Sequence, residues 1–177
     1  ACCSQKIAER DNGEKSTAWA IIKFVSKLLP SFGRDRILED IRITRGELLE
    51  LQEIFAESAK IKNYQAAYEP WTMVLDNCPK LSLATYQYGE IILKDFIKNA
   101  SSEDEKNKYL NDLLSLYDQW AEIFPERKGQ KQIGKIYSNK GQAMLDNGIK
   151  DKELIYDTFD YAFKNDPLSF TNPKSLA

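Results

Sequence analysis

Residues 64–79 read YQAAYEPWTMVLDNCP, and this stretch decides the fold class. Tyr64, Ala67, Trp71 and Val74 recur at intervals of three and four, the spacing of one helix face. Pro79 then stops the helix, because proline lacks an amide donor and pushes the preceding residue out of the helical region. The same arrangement recurs as Ile155, Phe159, Ala162 and Pro167. A helical pattern that repeats down a chain and ends each time at proline predicts stacked helical hairpins.

Working outward, further helices follow from the same periodicity. Residues 16–29 place Trp19, Ile22, Val25 and Leu29 on one face, and Pro30 and Gly33 end the run. Across 35–61, Thr44-x-x-Glu47 matches a capping box, so two helices are expected to meet near Thr44. The helix at 63–77 contains Pro70, where a bend is expected. Residues 82–98 follow with Leu83, Tyr86, Gly89, Ile92 and Phe96. Ser102-x-x-Glu105 opens a helix at 103–123 that carries Leu110, Leu113, Tyr117 and Trp120 and stops before Pro125. Glu103, Asp104 and Glu105 therefore read as a solvated first turn and not as a metal site. Residues 126–132 read as a charged loop, and 133–146 and 151–165 as the last two helices. Valine is scarce and strict alternation is absent, so no sheet is expected. The chain reads as all-α, with about seven to eight helices. The expected divisions are a flexible segment at 1–15, capping helices at 16–43, three hairpins at 44–167 and a tail at 168–177.

Composition narrows the function classes. Lys+Arg 25 against Asp+Glu 27 gives a net charge of −2, without the basic excess that nucleic-acid binders carry. The chain has no histidine, which excludes Ser-His-Asp and Cys-His nucleophile systems and the histidine zinc helix. Cys2, Cys3 and Cys78 form no Cys-x-x-Cys pair, so no structural zinc site is expected. Cys78 reads as a small apolar residue at a helix end. Cys2 and Cys3, behind the small Ala1, are candidate lipidation positions of the kind found at a bacterial lipoprotein processing site. Gly129 to Ile136 nearly matches a phosphate-binding loop, but Ile136 stands where a magnesium-binding hydroxyl is needed.

The helices pair as 44–61 with 63–77, 82–98 with 103–123 and 133–146 with 151–165. With Tyr64, Ala67, Trp71, Val74 and Pro79 in the second helix, and Tyr88-Gly89 and Lys140-Gly141 in first helices, the chain resembles the tetratricopeptide repeat family. It departs from that family in spacing: its prolines stand 46 and 42 residues apart, against a unit of about 34. Trp120 also stands where a small residue is usual and Lys152 where an aromatic is usual. Residues 67–71, 77–79 and 116–119 are similar to a subset found in bacterial cell-envelope proteins.

The resemblance implies a right-handed solenoid of helical hairpins whose concave side is lined by first helices. By its register the partner-binding positions are Leu49, Gln52, Ala56 and Lys60; Leu83, Tyr86, Glu90 and Leu93; and Lys135, Ser138, Gln142 and Leu145. Tyr86 or Tyr88 is expected to face the groove. Ser138 and Gln142 beside Gly141, and Tyr86 and Glu90 beside Gly89, do not match the members that clamp a carboxylate. The expected function is a non-catalytic adaptor for a protein segment, with no cofactor, metal or nucleic acid, in the bacterial cell envelope or else the cytoplasm. Membrane attachment is expected only through the lipid anchor, and self-association through the C-terminal repeat. The alternative is a sugar- or small-molecule-binding subunit, or an enzyme using Glu69, Glu90 or Asp118 with nearby tyrosines.

Overall fold

The structure, a computed structural model, describes residues 43–170. The chain divides into two compact units, Ala1–Glu50 and Leu51–Ala177. The expected helix at 16–29, residues 35–42 of the second capping segment, and Cys2 and Cys3 lie outside the described residues.

Among the described residues there are six helices: α1 (Arg45–Lys60), α2 (Tyr64–Asn77), α3 (Leu83–Asn99), α4 (Glu103–Ile123), α5 (Ile133–Asp146) and α6 (Lys152–Asn165). Their starts follow local chemistry. Thr44 Oγ1 accepts the Glu47 amide at 3.3 Å while Glu47 Oε2 accepts the Thr44 amide at 2.7 Å, a complete capping box. Asn63, Ser82, Ser102 and Asp151 each accept an amide in the first turn of the helix they precede. Glu105 reaches back one residue further than expected, to the Ser101 amide at 2.8 Å. Pro70 sits inside α2, and the helix continues past it to Asn77.

Three helix ends share one backbone form. Cys78, Phe124 and Asp166 follow α2, α4 and α6 with φ of −149°, −127° and −157° and ψ of 73°, 61° and 72°. Each donates its amide to the carbonyl four residues back, and each precedes a proline. Cys78 is fully buried, as a small helix-end residue should be, and it is disulfide-bonded.

The expectation of no sheet is corrected by a two-stranded antiparallel ribbon. Glu126–Arg127 (β1) pairs with Gln130–Lys131 (β2) in the register Glu126↔Lys131 and Arg127↔Gln130. Lys128 and Gly129 form the turn with φ of 53° and 76°, the paired left-handed form that matches strand twist. Two-residue strands leave no alternation to read, and the charged sequence resembles a loop.

The closest helix pairings are α3 with α4 and α5 with α6. Helices two apart also touch. Phe55 on α1 meets Tyr88 on α3 edge-on at 5.9 Å between ring centroids. Tyr68 on α2 meets Tyr109 on α4 at 6.2 Å, with Phe96 of α3 between them at 5.0 and 5.1 Å. The core includes Phe55, Val74, Ile92, Leu113 and Tyr117, all shielded from solvent. Gly89 lets Trp71 lie against the α3 backbone: a Cβ there would stand 2.5 Å from the indole, whose Nε1 donates to the Thr85 carbonyl at 2.8 Å.

Candidate functional site: a groove between α3 and α5

The first helices α3 and α5 present matching stripes. Leu83, Gln87, Glu90 and Lys94 recur on α3 at i, i+4, i+7 and i+11, and Lys135, Asn139, Gln142 and Asp146 repeat that spacing on α5. Such positions share one helix face. Each stripe has the same register to its helix's glycine, Gly89 or Gly141. α4 runs beneath and supplies the floor.

The groove has two hollows with a bridge between them. At one end Leu83 and Gln87 face Gln132, Lys135, Ile136 and Asn139, with Trp120 and Arg127, around a volume of about 30 Å³. At the other, Lys94, Ile97, Lys98, Ala100 and Lys106 face Ala143, Asp146 and Asn147 over Leu113, around about 560 Å³. Between them Glu90 Oε1 accepts from the Tyr117 hydroxyl at 2.8 Å, from Lys94 Nζ at 2.6 Å and from Asn139 Nδ2 at 3.5 Å. The bridge fixes α3 to α4 and α5 at mid-groove. Burial raises the Tyr117 phenol well above its ordinary value, and the adjacent Glu90 carboxylate adds to the shift. Neutral Tyr117 is therefore a permanent donor to Glu90 at physiological pH.

Polar inventory differs between the ends. The Nε1 donor of Trp120 is buried and has no hydrogen-bond partner among the described residues. Among the described residues, the side chains of Lys98, Arg127 and Lys135 make no ion pair. Asp146 is engaged by Gln142 Nε2 at 2.7 Å. Gln87 and Asn139 offer carboxamides, which both donate and accept and so match a peptide main chain.

Several expected binding residues sit elsewhere. Leu83, Glu90 and Lys135 belong to the groove, and Gln142 reaches it through Asp146. Tyr86 and Leu93 are corrected: both are fully buried core residues, and Ser138 is 1 % exposed. Tyr86 packs on Trp120 and Phe124, and burial pushes its phenol up to about 12, with Glu122 adding to the shift. Tyr88 packs on Phe55, so neither tyrosine lines either hollow. On α1, Leu49 and Lys60 are exposed and Gln52 and Ala56 half-buried, none of them in the α3–α5 groove; Lys60 pairs with Glu57 at 2.6 Å. Leu145 is exposed. Gln87, Lys94, Asn139 and Trp120 were not anticipated. The signal for Gln87, Lys94 and Asn139 is the polar stripe itself, one position away from the buried Tyr86, Leu93 and Ser138, whereas Trp120 on α4 has no such signal.

The three carboxylates of the enzymatic alternative have separate surroundings. Glu69 is exposed on α2, Glu90 is held in the bridge, and Asp118 pairs with Lys140 at 2.5 Å. Among the described residues no group of three or more His, Cys, Asp or Glu side chains is placed to hold a metal. No helix among them is long and apolar enough to cross a membrane.

The near-match to a phosphate loop also resolves. Gly129 lies in the ribbon turn, and the start of α5 is already occupied: Asp166 Oδ2 accepts the Gly134 amide at 3.2 Å and Ser169 Oγ accepts the Lys135 amide at 3.1 Å. Ser169 Oγ in turn donates to Asp166 Oδ2. The amides a phosphate would need are therefore taken.

Comparison with known protein families, with curated proteins and with solved structures finds no match to this chain.

Proposed function

We propose that this chain is a non-catalytic adaptor that holds an extended segment of a partner protein in the α3–α5 groove. The observation that carries the reading is the pair of equally spaced stripes, Leu83-Gln87-Glu90-Lys94 and Lys135-Asn139-Gln142-Asp146, facing one another over an α4 floor. Repeated packing supports a solenoid of the tetratricopeptide type. Helices touch their neighbours one and two places along, and three helix ends repeat one conformation before proline. A bacterial cell-envelope setting rests on the sequence likeness at residues 67–71, 77–79 and 116–119 and on Cys2 and Cys3 as lipidation candidates.

The test uses the chain as bait in envelope extracts, with a photo-crosslinker at position 87 and a Gln87→Ala/Asn139→Ala variant as control. The expected result is a partner captured by the wild type, crosslinked from position 87 and lost from the variant. A partner held equally by both, or no crosslinked partner, removes the reading.

A second reading has its own observation. Leu154, Tyr156, Tyr161 and Phe163 on α6 and Leu168 beyond it are exposed; the helical spacing sets Tyr156 and Phe163 on the opposite flank from Leu154 and Tyr161, which form an apolar surface at the last described hairpin. A homo-oligomer through this surface would raise the sedimentation coefficient with concentration and lose that dependence in Leu154→Glu/Tyr161→Glu. A monomer at all concentrations would dismiss it.

A further inference from the structure

We infer that the segment taken by the α3–α5 groove is acidic, with two carboxylate-bearing residues about five positions apart, one for each end of the groove; the inference rests on the adaptor reading. The first ground is charge. Arg127 and Lys135 stand at the smaller hollow and Lys94, Lys98 and Lys106 at the larger one. Of these five cations Lys94 is already paired with Glu90, and against the other four the groove sets only Asp146, itself engaged by Gln142. The chain as a whole carries −2, so the groove has the opposite sign to the molecule that contains it.

The second ground is that local helix energetics explain Lys94, paired with Glu90 one turn before it, and Lys98 but not Lys106 or Lys135. Lys98 lies in the last turn of α3, where a cation suits the helix dipole. Lys135 lies in the first turn of α5 and Lys106 one turn into α4, at the helix ends that disfavour a cation. Lys106 has only a 3.9 Å contact with Glu103, and Lys135 has no ion pair among the described residues. An anionic occupant would compensate both. Trp120, whose buried N–H has no partner among the described residues, borders the smaller hollow and is suited to a carboxylate or carbonyl acceptor.

The third ground is length. The two cationic ends lie about 11 residues apart along α3, about 16 Å at the helical rise, which an extended chain covers in about five residues. The larger hollow, lined by buried Ile97, Leu113 and Ala143, also has room for an apolar side chain beside the second carboxylate.

The test is selection from a random-peptide display library on the immobilised chain, followed by fluorescence anisotropy of the enriched peptides. The expected consensus carries Asp or Glu at two positions about five apart. Lys98→Glu and Lys135→Glu, both at exposed side chains, are each expected to weaken binding about tenfold, and more in low salt than in high. A neutral or basic consensus that is lost in Gln87→Ala/Asn139→Ala overturns the inference and leaves the adaptor reading standing. Acidic peptides bound equally by the charge-reversed variants overturn it as well. No groove-dependent enrichment overturns both.

Discussion

At the scale of single residues, close approach and burial decide what can change. Gly89 is required because Trp71 covers it. The Gly89→Ala methyl would meet the indole at 2.5 Å, and the indole cannot retreat without losing its buried bond to Thr85. The expected cost is about 1–3 kcal/mol, as for other overpacked cores, read as a lower urea midpoint at unchanged slope. An unchanged midpoint would mean that Trp71 moves freely. Tyr86 and Tyr117 make a second case. Both phenols are raised in the folded chain, Tyr86 to about 12 and Tyr117 further, in each case first by burial. The unfolded chain ionises them near 10.0, so the folded state retains more protons above that pH. Their contribution to stability is complete below pH about 10 and declines as pH rises through the folded values. Alkaline titration followed by phenolate absorbance should show Tyr86 and Tyr117 ionising last and together with unfolding, after the smaller upward shifts of Tyr68, Tyr109 and Tyr137. Ionisation of all nine at the ordinary value in the folded chain would contradict this burial.

At the scale of elements, the N-terminus of α5 is the instructive case. Gln132, which precedes it, makes no side-chain cap, and the cap comes instead from Asp166 and Ser169 beyond the end of α6. Asp166→Ala should therefore cost about 1 kcal/mol, the usual value of a lost cap, and should speed hydrogen exchange at the amides of Gly134 and Lys135 before others. Exchange unchanged at those two amides would show that the distal cap is dispensable. This cap also marks what was legible in the sequence. Helix ends set by local chemistry, such as Thr44 with Glu47 or Pro125 after Phe124, were readable, and α4 and α5 fall at their expected residues. A cap supplied from 32 residues away leaves no local pattern. The two-residue strands of the ribbon were too short to alternate. The groove face was misplaced for a different reason. The family register put Tyr86 and Leu93 on the open side, whereas their apolar character sends them to the core and leaves Gln87 and Lys94 facing out. Polarity along the helix was the better guide than the register.

At the scale of the molecule, coupling runs between neighbouring helices, and this bears on how the groove opens. α3 is covered by α2 and α4 and touched by Phe55 of α1 and Asn139 of α5. α6 has α5 beside it and leaves Leu154, Tyr156, Tyr161 and Phe163 exposed. In the proposed solenoid stability is close to a sum of unit and neighbour terms, so the hairpin with fewer covered faces opens at lower free energy. The α5–α6 hairpin should therefore exchange its amides ahead of α3–α4. Gly141→Ala sharpens the test, because its methyl would stand 2.6 Å from the Phe159 ring at the centre of that hairpin. The variant should lower protection across α5 and α6 by about 1–3 kcal/mol and leave α3 and α4 largely unchanged. A uniform loss through all four helices would instead make them one cooperative unit. The consequence for function follows from the geometry. One wall of the groove is α5, so each opening of the last hairpin removes half of the proposed binding face. A peptide that occupies the groove should raise protection in α5 and α6 by the free energy of its binding, growing with peptide concentration. Protection raised only in α1 and α2 would place the occupant elsewhere.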